Sequence, residues 1–594
     1  MKSYLIFLQN SFKNEKNIVL FITFMLFALK AIFTVYNATG PSILNDEYIY
    51  KFNAESIFHL QRYADAHYPP AYSIALAPAL FFDGWYEAML VINAFISSMT
   101  VPAAWLLAKA AGTRHPLVPA ALAAIIPFHA VYPSFLLSEN LFVPAFCLAL
   151  ALALRGASAS LMEAVLFGLA LGLAHMTKYL FLPAVPLLYI GWLWGMRRPE
   201  NGRPDSWAKA LAPAGGYALV AGLWLWYGQS SGFHFRELLG LDISAAGRLV
   251  TNAGEAAMKI RQFATTESFF MWACAYAAFF FLTWMPVWGI GMIWAGEKFS
   301  GRSPGRLRST SSLFLLLALA LILGFCLTAL LHSFGGQYNY PKPNRIMGRY
   351  LVHLGPVILI FVTMAFEGIH YKNKTAQMRS VIYIALLSTL AGACAMWVIK
   401  GGIWEFPSFF YKDKINLLNL STLGSAGYII LAMVSVVASA LLALKDSTQP
   451  AMVAAPLATF ILISSIGYTC SAPYRLEGLH LRMVASASAT IPFKDRNIFI
   501  FVDKAKIPAK NFVGCARFWG LGETRLARLQ NREDLLSFSD GTSLGMLISP
   551  QTLDLPCLVR YSFKGQNFAI YSVDRTEVFE SMLAGNDLSA ESKD

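Results

Sequence analysis

Asp46 and Glu47 stand side by side just after the first apolar run of this 594-residue chain, in the stretch N-D-E. A carboxylate at a membrane face can take a proton from an incoming hydroxyl, provided it stays ionised and within hydrogen-bond reach. The same residues can simply begin a solvated loop, and taken alone they favour that plainer reading. Other chemistry is easier to set aside. No Cys/His spacing resembles a zinc site, and the chain carries no P-loop, GxSxG or HExxH motif.

The elements that must position such residues follow from composition. The chain is 56% apolar, 14% aromatic and 14% charged, with a mean hydropathy of +0.51. Soluble domains run nearer one-quarter charged, and a helix crosses a bilayer core with about 20 apolar residues. Many such stretches are present, so the chain reads as a polytopic membrane protein. Its net charge of +13 sits in short loops between apolar runs, which fits topology signalling and anionic lipid better than nucleic acid. The first residues, M-K-S-Y-L-I-F-L-Q-N-S-F-K-N-E-K-N, lack the apolar core and small-residue cleavage site of a signal peptide. The first span is therefore expected to be an uncleaved anchor.

Apolar stretches fall near 17–37, 87–110, 116–133, 138–154, 160–177, 179–196, 207–228, 267–295, 311–332, 350–368, 380–399, 425–444 and 450–470. They predict about thirteen transmembrane helices. Lys and Arg concentrate in alternate loops: Lys2, Lys13 and Lys16; Lys109 and Arg114; Arg197, Arg198, Arg203 and Lys209; Lys298, Arg302, Arg306 and Arg308; Lys372, Lys374 and Arg379; Lys445. Basic loops stay inside, so the N-terminus is expected in the cytoplasm and the C-terminus outside. The outer set is longer and more irregular: 38–86, the turns near 134–138 and at Thr177–Lys178, then 229–266, 333–349, 400–424 and the tail. Within 54–64, Ile57, Leu60 and Tyr63 share one helical face, as in an interfacial helix or an ordinary loop helix. From 471 the chain turns more polar, with strand-like alternation in R-N-I-F-I-F-V-D-K and C-L-V-R-Y-S-F-K-G-Q-N-F-A-I-Y-S-V-D. The expected fold is an all-α polytopic membrane domain over 1–470 and a small extracytoplasmic α+β domain over 471–594. Cys515 and Cys557 both fall in that outer domain, and a disulfide between them is left open.

Five motifs follow one another on the expected outer face: the acidic pair at 46–47, H-Y-P-P-A-Y, L-L-S-E-N-L-F, H-M-T-K-Y-L-F-L-P and G-R-Y-L-V-H-L-G-P. In that order, over roughly 1–370, the chain resembles the GT-C superfamily of integral-membrane glycosyltransferases. The branch is that of protein O-mannosyltransferases and lipid A aminoarabinose transferases. The resemblance implies a bacterial inner-membrane enzyme working on its outer face. Its donor would be a sugar linked through phosphate to a polyprenyl lipid, and its acceptor a hydroxyl on a glycan, lipid or protein. No cofactor is required by that chemistry, and a divalent cation is left open.

On this reading Asp46 is the catalytic base and Glu47 orients the loop or acceptor. Lys178, Arg345, Arg349 and His67 are the candidates for the donor phosphate. Arg suits it best because its fork is planar and bidentate. Arg345 and Arg349 share a face if their segment is helical, although Arg349 beside Tyr350 also suits a snorkelling anchor. His67 precedes Pro69 and Pro70, where an extended backbone displays its ring. Glu139 is either a second acidic group, for acceptor or metal, or a favourably placed first-turn residue behind an N-capping Ser138. His175 is expected to be a packed, hydrogen-bonded histidine and Asp65 a loop carboxylate, while His332 and His353 are unassigned.

Departures from the family pattern matter. The H-P-P-L-G-K, K-P-P and W-W-D-Y-G forms are absent, which puts the named substrates in doubt and leaves the reaction class. Two rivals remain. A glycan polymerase or O-antigen ligase would carry a large late outer loop with paired Arg residues, whereas 333–349 is short. A secondary transporter would show matched halves, and none is visible.

Overall fold

The computed structural model describes residues 14–36, 44–65, 68–125, 129, 132–156, 159–196, 206–229, 269–273, 276, 310–335, 345–346, 350–351 and 353–368, with six short strand segments beyond them. The helices are α1 (Glu15–Tyr36), α2 (Leu44–Phe58), α3 (Pro70–Leu76, continuing as a 3-10 turn Ala77–Phe81), α4 (Trp85–Ser98) and α5 (Thr100–Ala111). They continue as α6 (Leu117–Ile125), α7 (Glu139–Arg155), α8 (Leu161–Thr177), α9 (Ala184–Met196), α10 (Ser206–Gln229), α11 (Thr310–Gly335) and α12 (Leu354–Gly368).

Among the described residues, three stretches are long and apolar enough to cross a membrane: α1, the run Trp85–Ala111 formed by α4 and α5, and Ser311–Leu331 of α11. The pattern on α1 argues the point physically. Its buried residues are Val19, Thr23, Lys30 and Thr34, while Leu20, Phe21, Phe24, Leu29 and Ile32 are exposed. Polar groups in and apolar groups out is the reverse of a soluble helix, and it is the pattern a hydrocarbon solvent favours. Lys30 is satisfied internally, its Nζ donating to Ser97 Oγ on α4 at 2.9 Å.

The helix pairs lock through small residues where backbones approach closely. A Cβ on Gly168 of α8 would overlap the Pro213 carbonyl of α10, and one on Gly172 would lie 2.7 Å from the Val220 side chain. Phe167 stacks on Trp192 of α9 at 5.0 Å, and α7 lies in the middle of the same core. Ser160 and Glu163 form a capping box that starts α8. Gly112 ends α5 with φ +89, the left-handed position that favours glycine.

Contacts sort the helix ends into two sets. At one end Lys109 lies 3.8 Å from Glu15, Ser311 Oγ donates to the Ala111 carbonyl, Arg155 pairs with Glu163 at 2.8 Å, and Trp192 Nε1 donates to the Lys209 carbonyl. At the other end α2, α3, the 132–138 turn, Lys178 and Tyr350 meet. These are the two sets of segments that the alternating basic loops separate.

β1 (Arg345–Ile346), between α11 and α12, pairs in parallel with β2 (Trp404–Glu405), and β3 (Ile498–Phe499) pairs in parallel with β4 (Thr524–Arg525). β5 (Gly545–Ser549), β7 (Gln566–Val573) and β6 (Cys557–Phe563) form an antiparallel sheet in the order β5-β7-β6. The alternation at 557–573 therefore folds as an antiparallel strand pair, with Phe563 opposite Gln566. The expected spans at 380–399, 425–444 and 450–470, the rest of the 471–594 domain and Cys515 lie outside the described residues.

Candidate active site

Asp46 and Glu47 occupy the first turn of α2, where a helix dipole favours negative charge. The solvated-loop reading fails for this pair. Glu47 is fully buried and its Oε1 accepts the Leu136 backbone N–H at 2.9 Å. That contact ties α2 to the turn before α7 across 89 residues of sequence. Asp46 is half-buried, and its Oδ1 accepts a hydrogen bond from the Tyr68 hydroxyl at 2.9 Å.

The turn that meets Glu47 is shaped by two buried asparagines. Asn93 of α4 takes a hydrogen bond from the Tyr72 hydroxyl at 2.6 Å and gives one to the Phe135 carbonyl at 2.8 Å. Asn140 donates to the Tyr132, Phe135 and Leu137 carbonyls. Ser138 was expected to cap α7, but it lies in right-handed helical geometry with no side-chain capping bond. A capping serine has extended backbone angles, which this one lacks.

Glu139 instead faces Lys178. The two side chains pair at 2.6 Å and both are nearly closed off from solvent. Lys178 sits just past α8 with φ −154, an extended residue that turns its side chain back toward α7. Its Nζ lies 4.9 Å from the Tyr350 ring and 5.8 Å from the Phe142 ring, so the cation is held over aromatic faces as well.

Tyr50, one helical turn after Asp46, lies between the two acidic positions. Burial, then the Asp46 and Glu139 carboxylates, push its phenol well above the ordinary tyrosine range, and a hydrogen bond to the Ser138 side chain opposes them. Tyr50 therefore stays protonated and neutral. Asp46, Glu47, Glu139 and Lys178 thus converge on one end of the bundle, with Tyr50, Tyr68 and Tyr350 between them. The sequence reading singles out neither Tyr50 nor Tyr68, and takes Tyr350 only as the interfacial neighbour of Arg349. The i, i+4 spacing of Asp46 and Tyr50 was a signal for the first.

Other expectations fare differently. His67 and Arg349 lie outside the described residues. Arg345 falls in β1, so the helical face that would join it to Arg349 does not form there; its backbone is extended and pairs with Trp404. The helix over 54–64 stops at Phe58, because Leu60 adopts φ +53 and points outward, 87% exposed, while Tyr63 is buried. Ile57, Leu60 and Tyr63 therefore share no face. His175 is buried and hydrogen-bonds the Tyr217 hydroxyl through Nδ1 at 2.7 Å, as expected. His353 is a core residue behind Lys178, its ring boxed by Phe142, Phe146 and Phe325 at 4.9, 5.0 and 4.1 Å.

No protein-family model and no curated protein matches the chain. Among solved structures, it is similar to ArnT from Cupriavidus metallidurans bound to undecaprenyl phosphate, with a TM-score of 0.48 and 13% identity over 92% of this chain and 97% of that one. It is also similar to the Archaeoglobus fulgidus oligosaccharyltransferase, with a TM-score of 0.37 and 11% identity over 81% of this chain and 61% of that one. The S. cerevisiae protein O-mannosyltransferase Pmt1-Pmt2 complex gives a TM-score of 0.27 and 20% identity over 36% and 34%.

Proposed function

We propose that the chain is an integral-membrane glycosyltransferase of the GT-C type, which moves a sugar from a polyprenyl-phosphate carrier to an acceptor hydroxyl with inversion. The observation that supports it is the meeting of Asp46, Glu47, Glu139 and Lys178, from three of the five motif segments, with Tyr68 of a fourth on Asp46 and the Tyr350 ring of the fifth under Lys178. Nothing in packing alone requires three carboxylates and a lysine at one end of an apolar bundle.

Transfer needs one proton acceptor and cations for the phosphate. Asp46 takes the acceptor's proton, the acceptor oxygen bonds to the anomeric carbon, and the bond from that carbon to the phosphate oxygen breaks with its electron pair on the phosphate. Attack from the opposite face inverts the anomeric configuration. The departing polyprenyl phosphate is a stable anion, so no general acid is needed. Lys178 stands to neutralise it, and Arg349, one residue before Tyr350, is placed by sequence to do the same. Glu139 keeps the ammonium charged and fixed in a nearly closed site. Glu47 holds α2 to the Leu136 turn and thereby sets where Asp46 stands.

The test is transfer by purified protein from a polyprenyl-phosphate sugar. Asp46→Asn keeps shape and polarity but takes no proton, so turnover should fall by about 10² to 10⁴ with donor binding intact. Near-wild-type turnover in that variant, or a product of retained configuration, would overturn the mechanism.

A further inference from the structure

Tyr68 is the residue of H-Y-P-P that reaches the acidic pair, and its surroundings hold it firmly. Asn53 of α2 clamps the preceding turn with two bonds, Nδ2 to the Asp65 carbonyl at 3.0 Å and Oδ1 from the Asp65 N–H at 2.9 Å. The Tyr68 N–H closes back on the Asp65 carbonyl at 3.3 Å, and Tyr63 Oη donates to the Tyr68 carbonyl at 3.1 Å. The Tyr50 ring meets that of Tyr68 edge-on at 5.3 Å. Beyond it, Pro69 is fixed at φ −60, ψ 146 and Pro70 opens α3. So many restraints on one turn leave the phenol little choice of direction, and it donates to Asp46 Oδ1 at 2.9 Å.

We propose that Tyr68 is a positioning residue that keeps Asp46 ionised and fixes its rotamer, and so sets the acid limb of the enzyme's pH profile; this rests on the glycosyl-transfer reading above. A hydrogen bond given to a carboxylate favours its charged form. That donor matters here because the neighbouring charges pull the other way. Glu47 is the next residue on α2, and Glu139 approaches from α7 with its charge largely met by Lys178. Tyr50, from α2, faces both Asp46 and Glu139 as a neutral phenol. Tyr68 donates to Asp46 itself.

Tyr68→Phe removes one hydroxyl and leaves the ring packing. Transfer with a polyprenyl-phosphate sugar should fall about tenfold, the acid limb should move up by about one pH unit, and donor affinity should hold. Substituting 3-fluorotyrosine at 68 strengthens the same donor without changing shape and should move the limb down. An acid limb unmoved in both variants overturns the proposal, since a merely structural tyrosine would change yield or stability and not the limb. Asp46→Asn separates the two readings. If Asp46→Asn is inactive while both Tyr68 variants keep the wild-type limb, the role of Tyr68 alone falls. If Asp46→Asn is active, the transfer mechanism falls with it.

Discussion

Lys178 and Glu139 show how a single pair can serve both folding and chemistry. Their 2.6 Å contact places two ions where solvent hardly reaches. A pair like this gains little over well-packed apolar residues, yet breaking it leaves one buried charge uncompensated, at a cost of about 3–5 kcal/mol. Lys178→Met should therefore destabilise the protein strongly, and Lys178→Met with Glu139→Leu should recover most of that loss while remaining inactive in transfer. Thermal unfolding in one detergent, with transfer measured beside it, checks both parts. A double variant as unstable as the single would mean that the two charges are not coupled; a double variant that transfers sugar would remove Lys178 from phosphate binding. The sequence exposed this site unevenly. Acidic and basic types at membrane edges could be picked out as candidates because their burial needs a reason. Their partners could not, since sequence separations of 39 from Glu139 to Lys178 and 89 from Glu47 to Leu136 carry no periodic signal. Tyrosines were passed over because an interfacial tyrosine is ordinary, and Tyr68 stands out only once its hydroxyl is seen on Asp46.

At the scale of elements, apolar length made the helices legible and backbone chemistry decided their ends. The expected stretches at 17–37, 138–154, 160–177 and 207–228 correspond to α1, α7, α8 and α10 within a residue or two. Failures fell where local geometry overrides periodicity. Leu60 in the left-handed region ends α2 early, and β pairing at Arg345 excludes a helix that i, i+4 spacing had suggested. The close α8–α10 approach was also invisible, because glycines at 168 and 172 look like two more small residues in an apolar run. Their packing makes a prediction. Gly172→Leu places a branched side chain where even a Cβ meets Val220 at 2.7 Å, so overpacking should cost at least ~1–3 kcal/mol. The shift should travel along α10 to Trp224, whose Nε1 donates to the Tyr179 hydroxyl beside Lys178. Lower stability with proportionally lower transfer is the expected outcome. A stable Gly172→Leu protein would show that α8 and α10 are free to separate without harm to the site.

For the whole molecule the two ends of the bundle differ in charge, and that difference bears on which one faces the cell interior. Charge supplies the argument. The end that carries Lys109, Arg155 and Lys209 collects the short basic loops, and basic loops resist translocation. The opposite end gathers Asp46, Glu47, Glu139 and a lysine already paired, in segments that are longer and less basic. Bringing the basic end to the cytoplasm puts the acidic site on the outer face, where a polyprenyl-phosphate sugar would be presented after its carrier has crossed. Reporter fusions after Glu200 and Lys372 should accordingly read cytoplasmic, and one after Asp594 periplasmic. The C-terminal reading depends on an odd number of spans, so it also tests the expected helices between 380 and 470. A periplasmic signal at 200 would invert the bundle and place Asp46 against the cytosol, where the proposed donor face would be wrong. A cytoplasmic signal at 594 with the other two intact would instead remove one span and bring the β5–β7 sheet inside the cell.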